Sequence, residues 1–141
     1  MESGFFGKGA YMIPYQLLKE IPYGGDYNPE QWPEDVWEED MRLFRLAGIN
    51  TVTLNVFSWA SLQPSEDTYD FSRLDKIINL CTENDLMICL ATSTGAHPAW
   101  MAARHPDILR VDFDGRKRKF GGRHNSCPSS STYRLYAGRL A

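Results

Sequence analysis

The chain has 141 residues, a length suited to one ordinary domain, and 43% of them are apolar. Seven Tyr, seven Phe and four Trp give it a globular composition, away from that of disordered chains. The net charge of −3 gives no reason to expect nucleic acid as a partner, and no run approaches the ~18 apolar residues of a membrane span.

Residues 1–20 are weakly patterned and read as a leader to a domain over 21–141. They lack a basic region followed by a long apolar run, so no signal peptide is expected. Cys81, Cys89 and Cys127 are an odd, widely spaced set and no disulfide framework. Cys81 and Cys89 lie in apolar runs and read as core; a reducing cytoplasm is the expected compartment.

From residue 21 the chain alternates strand and helix. Residues 21–25 read as a short strand, running into the turn formers of "DYNPEQWP". Pro33 suits the first turn of a helix, and Glu34, Asp35, Glu38, Glu39 and Asp40 favour its positive end. Val36, Asp40, Leu43, Phe44 and Ala47 form an imperfect buried face, with Gly48 closing the helix. "NTVTLNVF", residues 50–57, is β-branched and reads as the second strand. After the loop "SWASLQPSEDTYDF", Ser72 is expected to cap a helix with Asp75 as its capping-box partner. Leu74, Ile77, Ile78 and Cys81 are that helix's stripe. "LMICLAT", residues 86–92, is continuously apolar, as in a parallel strand covered on both faces.

A long excursion, residues 93–131, follows. "PAWMAARHP" predicts a short helical turn. "ILRVDFDGRKRKF" predicts a hairpin with Asp114-Gly115 as a type I′ turn, which makes its basic residues a solvated strand. A last helix begins near Ser131, with Tyr133, Tyr136, Ala137 and Leu140 at i, i+3, i+4 and i+7 and no stop signal beyond.

Strand starts near 21, 50 and 86 fit a repeat of roughly thirty residues, the allotment of one βα unit in an eight-fold barrel. A doubly wound sheet has similar units, but no G-x-G-x-x-G follows the first strand. Closing a barrel takes about eight strands. The expected fold is therefore α/β: a partial (β/α)₈ barrel, its first three βα units, cut within the third helix.

Function in such barrels gathers on the loops after the strands. Trp32, Trp59 and Trp100 fall one in each of those loops, beside amides, carboxylates and Arg. Such sets suit sugars, though large aromatics also wedge loops against a barrel rim. Asp26, Glu30, Glu66 and Asp67 lie in the right loops, but nothing singles out a catalytic pair. His97 reads as a structural hydrogen-bonding group. His124 and Cys127, four residues apart, are a weak metal signal, because a closed zinc site needs four ligands.

The run "PYGGDYNPEQWPEDVWEEDMRLFRLAGINTVTLNVFSWASLQPSEDTYDFSRLD" resembles the N-terminal part of family 42 glycoside hydrolases, the bacterial β-galactosidases. The likeness continues through "LATSTGAHPAWMAARHPDIL" and "GGRHNSCPSSSTYRLYAGRLA". The resemblance implies a barrel bearing the active site, followed by further domains. It implies hydrolysis of terminal β-D-galactosides with retention of configuration. The family's two catalytic glutamates follow strands four and seven, so no catalytic residue carries over. Arg123 matches the arginine that binds the galactoside in the galactose subsite. Cys127 matches the first cysteine of a zinc cluster found in some members, whose other ligands come later; no cofactor is required. Gln63 stands where an acid is frequent, and Asp67 where a glycine is, a position expected to use the left-handed tolerance of Asp.

Two readings follow. In the first, the chain is the N-terminal fragment of a β-galactosidase, inactive alone, in an enzyme that is a homo-oligomer at full length. Its partner is a β-galactoside sugar, with no nucleic acid and no membrane. In the second, it is a non-catalytic sugar-binding or assembly module, or part of a glycosidase for another sugar.

Overall fold

The structure, a computed structural model, describes residues 20–121 and 123–141. The expected leader lies outside these residues except for Glu20.

Three short strands, β1 (Gly24–Asp26), β2 (Thr51–Leu54) and β3 (Met87–Leu90), form one parallel sheet in the order β1-β2-β3. Gly24 pairs with Thr51, and Thr53 in turn with Cys89. β1 starts three residues later than the pattern suggests and is held very close to β2. A Cβ on Gly24 would fall against the carbonyl oxygen of Thr51 and 2.8 Å from its carbon, so only glycine fits this pairing. β2 stops at Leu54 because Asn55 turns into the left-handed region at φ 72.

Along β2, Val52 and Leu54 are buried while Thr51 and Thr53 are half-buried, the period of two that separates a covered face from an opposite one. The covering layer is α1 (Trp37–Ala47) and α3 (Ser72–Glu83), which bring Trp37, Met41, Ile77 and Cys81 onto Val52, Leu54 and Tyr27. The α3 stripe is as expected: Ile77 and Cys81 are buried, with Leu74 and Ile78 packed beside them. On α1 the buried face is Trp37, Met41 and Phe44, at i, i+4 and i+7. Of the expected face, Val36, Leu43 and Ala47 are exposed instead. The difference arises because Glu34–Val36 is a 3₁₀ turn, which delays α1 to Trp37 and rotates its face. Gly48 closes α1 at φ 70, as expected. Ser72 does not cap α3; Asp70 Oδ1 accepts from its amide at 2.9 Å and its hydroxyl at 2.6 Å.

A second core sits beyond the strand ends. It joins α2 (Trp59–Leu62), α4 (Ala99–Arg104), a 3₁₀ turn at Pro106–Ile108 and α5 (Ser131–Leu140) through Trp59, Met101, Ile108 and Tyr136. Ser130 caps α5: its hydroxyl oxygen accepts from the Tyr133 amide at 3.1 Å and its hydroxyl donates to Asp107 at 2.7 Å. Because α5 packs here rather than over β3, Leu90 and Cys89 are exposed, and the two-sided burial expected of residues 86–92 is not seen. Among the described residues β3 pairs only with β2.

The hairpin has a different turn from the one expected. The Gly115 amide donates to Asp112 O at 3.0 Å and only Gly115 has positive φ, at 80. A type I′ turn needs two such residues; one left-handed residue after a turn centred on Phe113 and Asp114 makes the three-residue loop with a bulge. Two acids of the hairpin, Asp112 and Asp114, pair with part of the basic run, at Arg110, Arg116 and Arg118. Arg118 pairs with Asp112 at 2.6 Å, and the Lys117 ammonium donates to Pro106 O at 3.1 Å.

Candidate functional site

The carboxyl ends of β2 and β3 are joined crosswise. After each strand one residue takes a left-handed conformation, Asn55 at φ 72 and Ser93 at φ 59. The Ser93 hydroxyl donates to Asn55 O, and the Asn55 amide Nδ2 donates to Ala91 O at 3.1 Å. Asn tolerates φ above zero better than most residues, and here its side chain completes the pairing that the backbone abandons.

This brace opens a groove of about 390 Å³ whose floor and walls include Phe57, Thr92, Gly95, His124 and Tyr133. Arg123 is not one of its lining residues but stacks on one that is: its guanidinium lies 4.1 Å from the centre of the Phe57 ring. An exposed Arg over an aromatic face keeps its donors available while the ring fixes the plane of the group. Its loop is pinned at several points. The His124 amide donates to Gly95 O at 2.9 Å, and the Arg110 amide to Asn125 O at 2.8 Å. His97 Nδ1 meets the Ser126 hydroxyl at 2.7 Å, so His97 is structural as expected. Burial pushes the His97 pKa down, which keeps its ring neutral near pH 7. Tyr133, from α5, donates its hydroxyl to Thr94 O at 2.8 Å and closes the groove's far side.

The tryptophans do not line this groove. Trp59 is fully buried with its indole N–H on Gln63 Oε1 at 2.9 Å. Trp100 donates to Gln63 O at 2.8 Å, and Trp32 to Asp40 at 3.0 Å. Wedging of loops is what they do; the aromatic faces at the strand ends belong to Phe57 and Tyr133, which the sequence hid in a strand pattern and a helix stripe. Gln63 is buried and its Nε2 donates to Glu66 O at 2.9 Å, a bond that an ionised acid at this position would lack. Asp67 is absent from the positive-φ residues, so the left-handed turn expected there is not used.

Of the four loop carboxylates, Glu66 is the most tightly held. It accepts from the Tyr136 hydroxyl, from Arg104 at 2.7 Å and from His105 Nε2 at 3.0 Å. The Tyr136 bond first, then Arg104 and His105, bring its pKa down to about 2. It ties α2's loop to α4 and α5, outside the groove. Asp26 is exposed at the end of β1 and Glu30 is half-buried. Cys127 is half-buried; its amide donates to Ile108 O at 2.6 Å and its carbonyl accepts from the Ser130 amide at 3.0 Å. Among the described residues no three His, Cys, Asp or Glu side chains come together to hold a metal. These residues alone therefore do not fit a closed zinc site, which needs four ligands. No described helix is long and apolar enough to cross a membrane.

A parallel sheet with helices on one face and a groove at the strands' carboxyl ends is an α/β arrangement, of the class in which ligands generally bind at that end. Residues 26–141 match the model of glycoside hydrolase family 42, described as beta-galactosidase, and the chain belongs to that family. It is 65% identical over 125 residues to β-galactosidase BgaA of Planococcus sp. (strain 'SOS Orange'), covering 88% of this chain and 18% of the relative. β-Galactosidase LacA of Lactobacillus acidophilus is 50% identical over 123 residues, 87% of this chain and 18% of the relative. The solved β-galactosidase from Bacillus circulans sp. alkalophilus superposes with a TM-score of 0.82 at 66% identity, covering 85% of this chain and 18% of that one. The β-galactosidase from Rahnella sp. R3 gives 0.80 at 41% identity, over 83% of this chain and 18% of that one. The chain thus spans less than a fifth of the length of these relatives.

Proposed function

We propose that these residues form the first three βα units of a (β/α)₈ barrel in a retaining β-galactosidase, and that their groove is part of the galactose subsite. The observation that carries this reading is the seat of Arg123 over Phe57, at the strand ends, in a chain of this family. A guanidinium held in one plane offers forked donors to sugar hydroxyls, while the Phe57 and Tyr133 rings give apolar surface to sugar C–H groups.

In the full enzyme one glutamate attacks the anomeric carbon while the other protonates the departing oxygen and then activates water. Both follow strands four and seven in the family, and among the described residues the sheet has three strands. The role of this segment is binding and orientation, and the chain alone has no turnover. Cys127 would give at most one thiolate to a zinc cluster completed from elsewhere.

Two measurements test this. The 141-residue chain, given a chromogenic β-galactoside, shows no hydrolysis above a buffer blank; turnover would refute the division of labour. A chimera in which this chain replaces the matching 125 residues of the Planococcus relative hydrolyses the same substrate. A folded chimera without activity would refute the assignment of the groove.

A further inference from the structure

The groove at the strand ends has five polar side chains in its lining: Thr92, Ser93, Thr94, His124 and Tyr133. Four of them are engaged with the protein itself. The Thr92 and Thr94 hydroxyls lie 3.2 Å apart, Ser93 donates to Asn55 O, and Tyr133 donates to Thr94 O at 2.8 Å. His124 differs. The imidazoles of His97 and His105 are bonded within the chain, at 2.7 Å to Ser126 and 3.0 Å to Glu66, whereas the exposed His124 makes no side-chain hydrogen bond among the described residues.

The backbone of His124 is fixed in a conformation that few side chains adopt, the left-handed region at φ 56. Asn55 and Ser93 share that region and recover hydrogen bonds through their own side chains. Asp85 shares it just beyond the end of α3, where a left-handed residue closes a helix. His124 is held by its amide, which donates to Gly95 O at 2.9 Å, and its side chain returns nothing to the chain. Backbone outliers of this kind gather where a ligand is clamped.

The ring is aimed at the groove floor. A carbon added at Gly95 would meet Phe57 Cε1 at 3.5 Å and His124 Cε1 at 3.7 Å, both ordinary contacts. Cε1 joins the two ring nitrogens, so the polar edge of the imidazole borders the same open space as the Phe57 ring, on which Arg123 stacks. A neutral imidazole offers one donor and one acceptor, which matches a hydroxyl. A sugar carbon in this space lays its C–H on Phe57 and turns its hydroxyl toward His124. We propose that His124 is a further substrate-binding residue, bonding a sugar hydroxyl beside Arg123; this rests on the reading of the groove as part of the galactose subsite.

The test uses the chimera, a chromogenic β-galactoside, and D-galactose as competing ligand. His124→Gly removes the ring and suits the left-handed backbone. It is expected to lower kcat/KM about tenfold and to raise the inhibition constant of D-galactose by a similar factor, with the thermal midpoint unchanged or higher. His124→Asn keeps a donor and an acceptor on a residue that tolerates positive φ, and is expected to lose less; it carries the test if His124→Gly disturbs the loop. Unchanged kinetics and galactose inhibition in both variants would overturn the assignment. So would a loss that tracks a lowered thermal midpoint, the mark of a structural role alone. The two readings fail separately. A folded chimera without hydrolysis refutes the groove itself, whereas one that hydrolyses, slows on Arg123→Ala and ignores His124→Gly refutes only the role of His124.

Discussion

Gly24 and Gly25 are adjacent in β1, yet their substitution should have very unequal consequences. At Gly24 an alanine methyl collides with the backbone of Thr51, which belongs to the central strand and cannot swing aside as a side chain would. Relief requires β1 and β2 to separate, which breaks the Gly24–Thr51 pairing and loosens Tyr27, whose amide donates to Thr53 O at 2.9 Å, from the core. Overpacking commonly costs 1–3 kcal/mol, and a rigid backbone obstacle puts Gly24→Ala near ~3 kcal/mol. At Gly25 nothing lies within 4 Å of an added methyl, so Gly25→Ala should stay within about 0.5 kcal/mol. Urea unfolding followed by Trp fluorescence reads the difference. With a slope of ~2 kcal/mol per molar, Gly24→Ala should lower the midpoint by about 1.5 M and Gly25→Ala should barely move it. Equal midpoints for the two variants would show that the close strand approach does not exist.

Three further outcomes are expected. Glu66 has its folded pKa depressed to about 2, so its bonds stabilise fully above its unfolded pKa of about 4.5 and are lost as pH falls toward 2; the midpoint-against-pH curve should steepen over that window and flatten in Glu66→Gln, and identical curves would count against it. In the chimera, Arg123→Ala should lower kcat/KM by about 10- to 100-fold, the worth of one charge-assisted bond of roughly 1.5–3 kcal/mol, without shifting the thermal midpoint, because Arg123 is exposed. Tyr27→Phe removes the hydroxyl that donates to Asp40 at 2.8 Å from a buried ring and should cost about 1 kcal/mol in the same urea assay; no change would mean that Asp40 is satisfied by Trp32 alone.

Long, regular elements were readable from the sequence because their burial pattern is local. The α3 stripe and the Gly48 stop of α1 depend on neighbours within two turns, and both are found as expected. The face of α1 was not readable, since a 3₁₀ turn after Pro33 changes the starting point of the period. The four-residue α2 is too short to show a period at all. For residues 86–92 an apolar run signals burial, but burial is decided by what packs on the strand, and Leu90 has no such cover among the described residues. Arg123 lies within a basic run and is distinguished there only by family resemblance; its seat on Phe57 depends on two loops meeting that no spacing rule connects.

The Glu66 knot has a consequence for how the protein matures. The first core, from Tyr27 to Cys81 with Ile88 beside it, uses only chain that has already been made when β3 emerges. The second cannot close then, because Trp59 needs Met101, Ile108 and Tyr136, and Glu66 needs a hydroxyl that arrives 70 residues later. Assembly during synthesis is therefore expected to proceed in two tiers. Pulsed hydrogen exchange should protect Val52 and Ile77 before Met101; simultaneous protection would mean the two cores form as one.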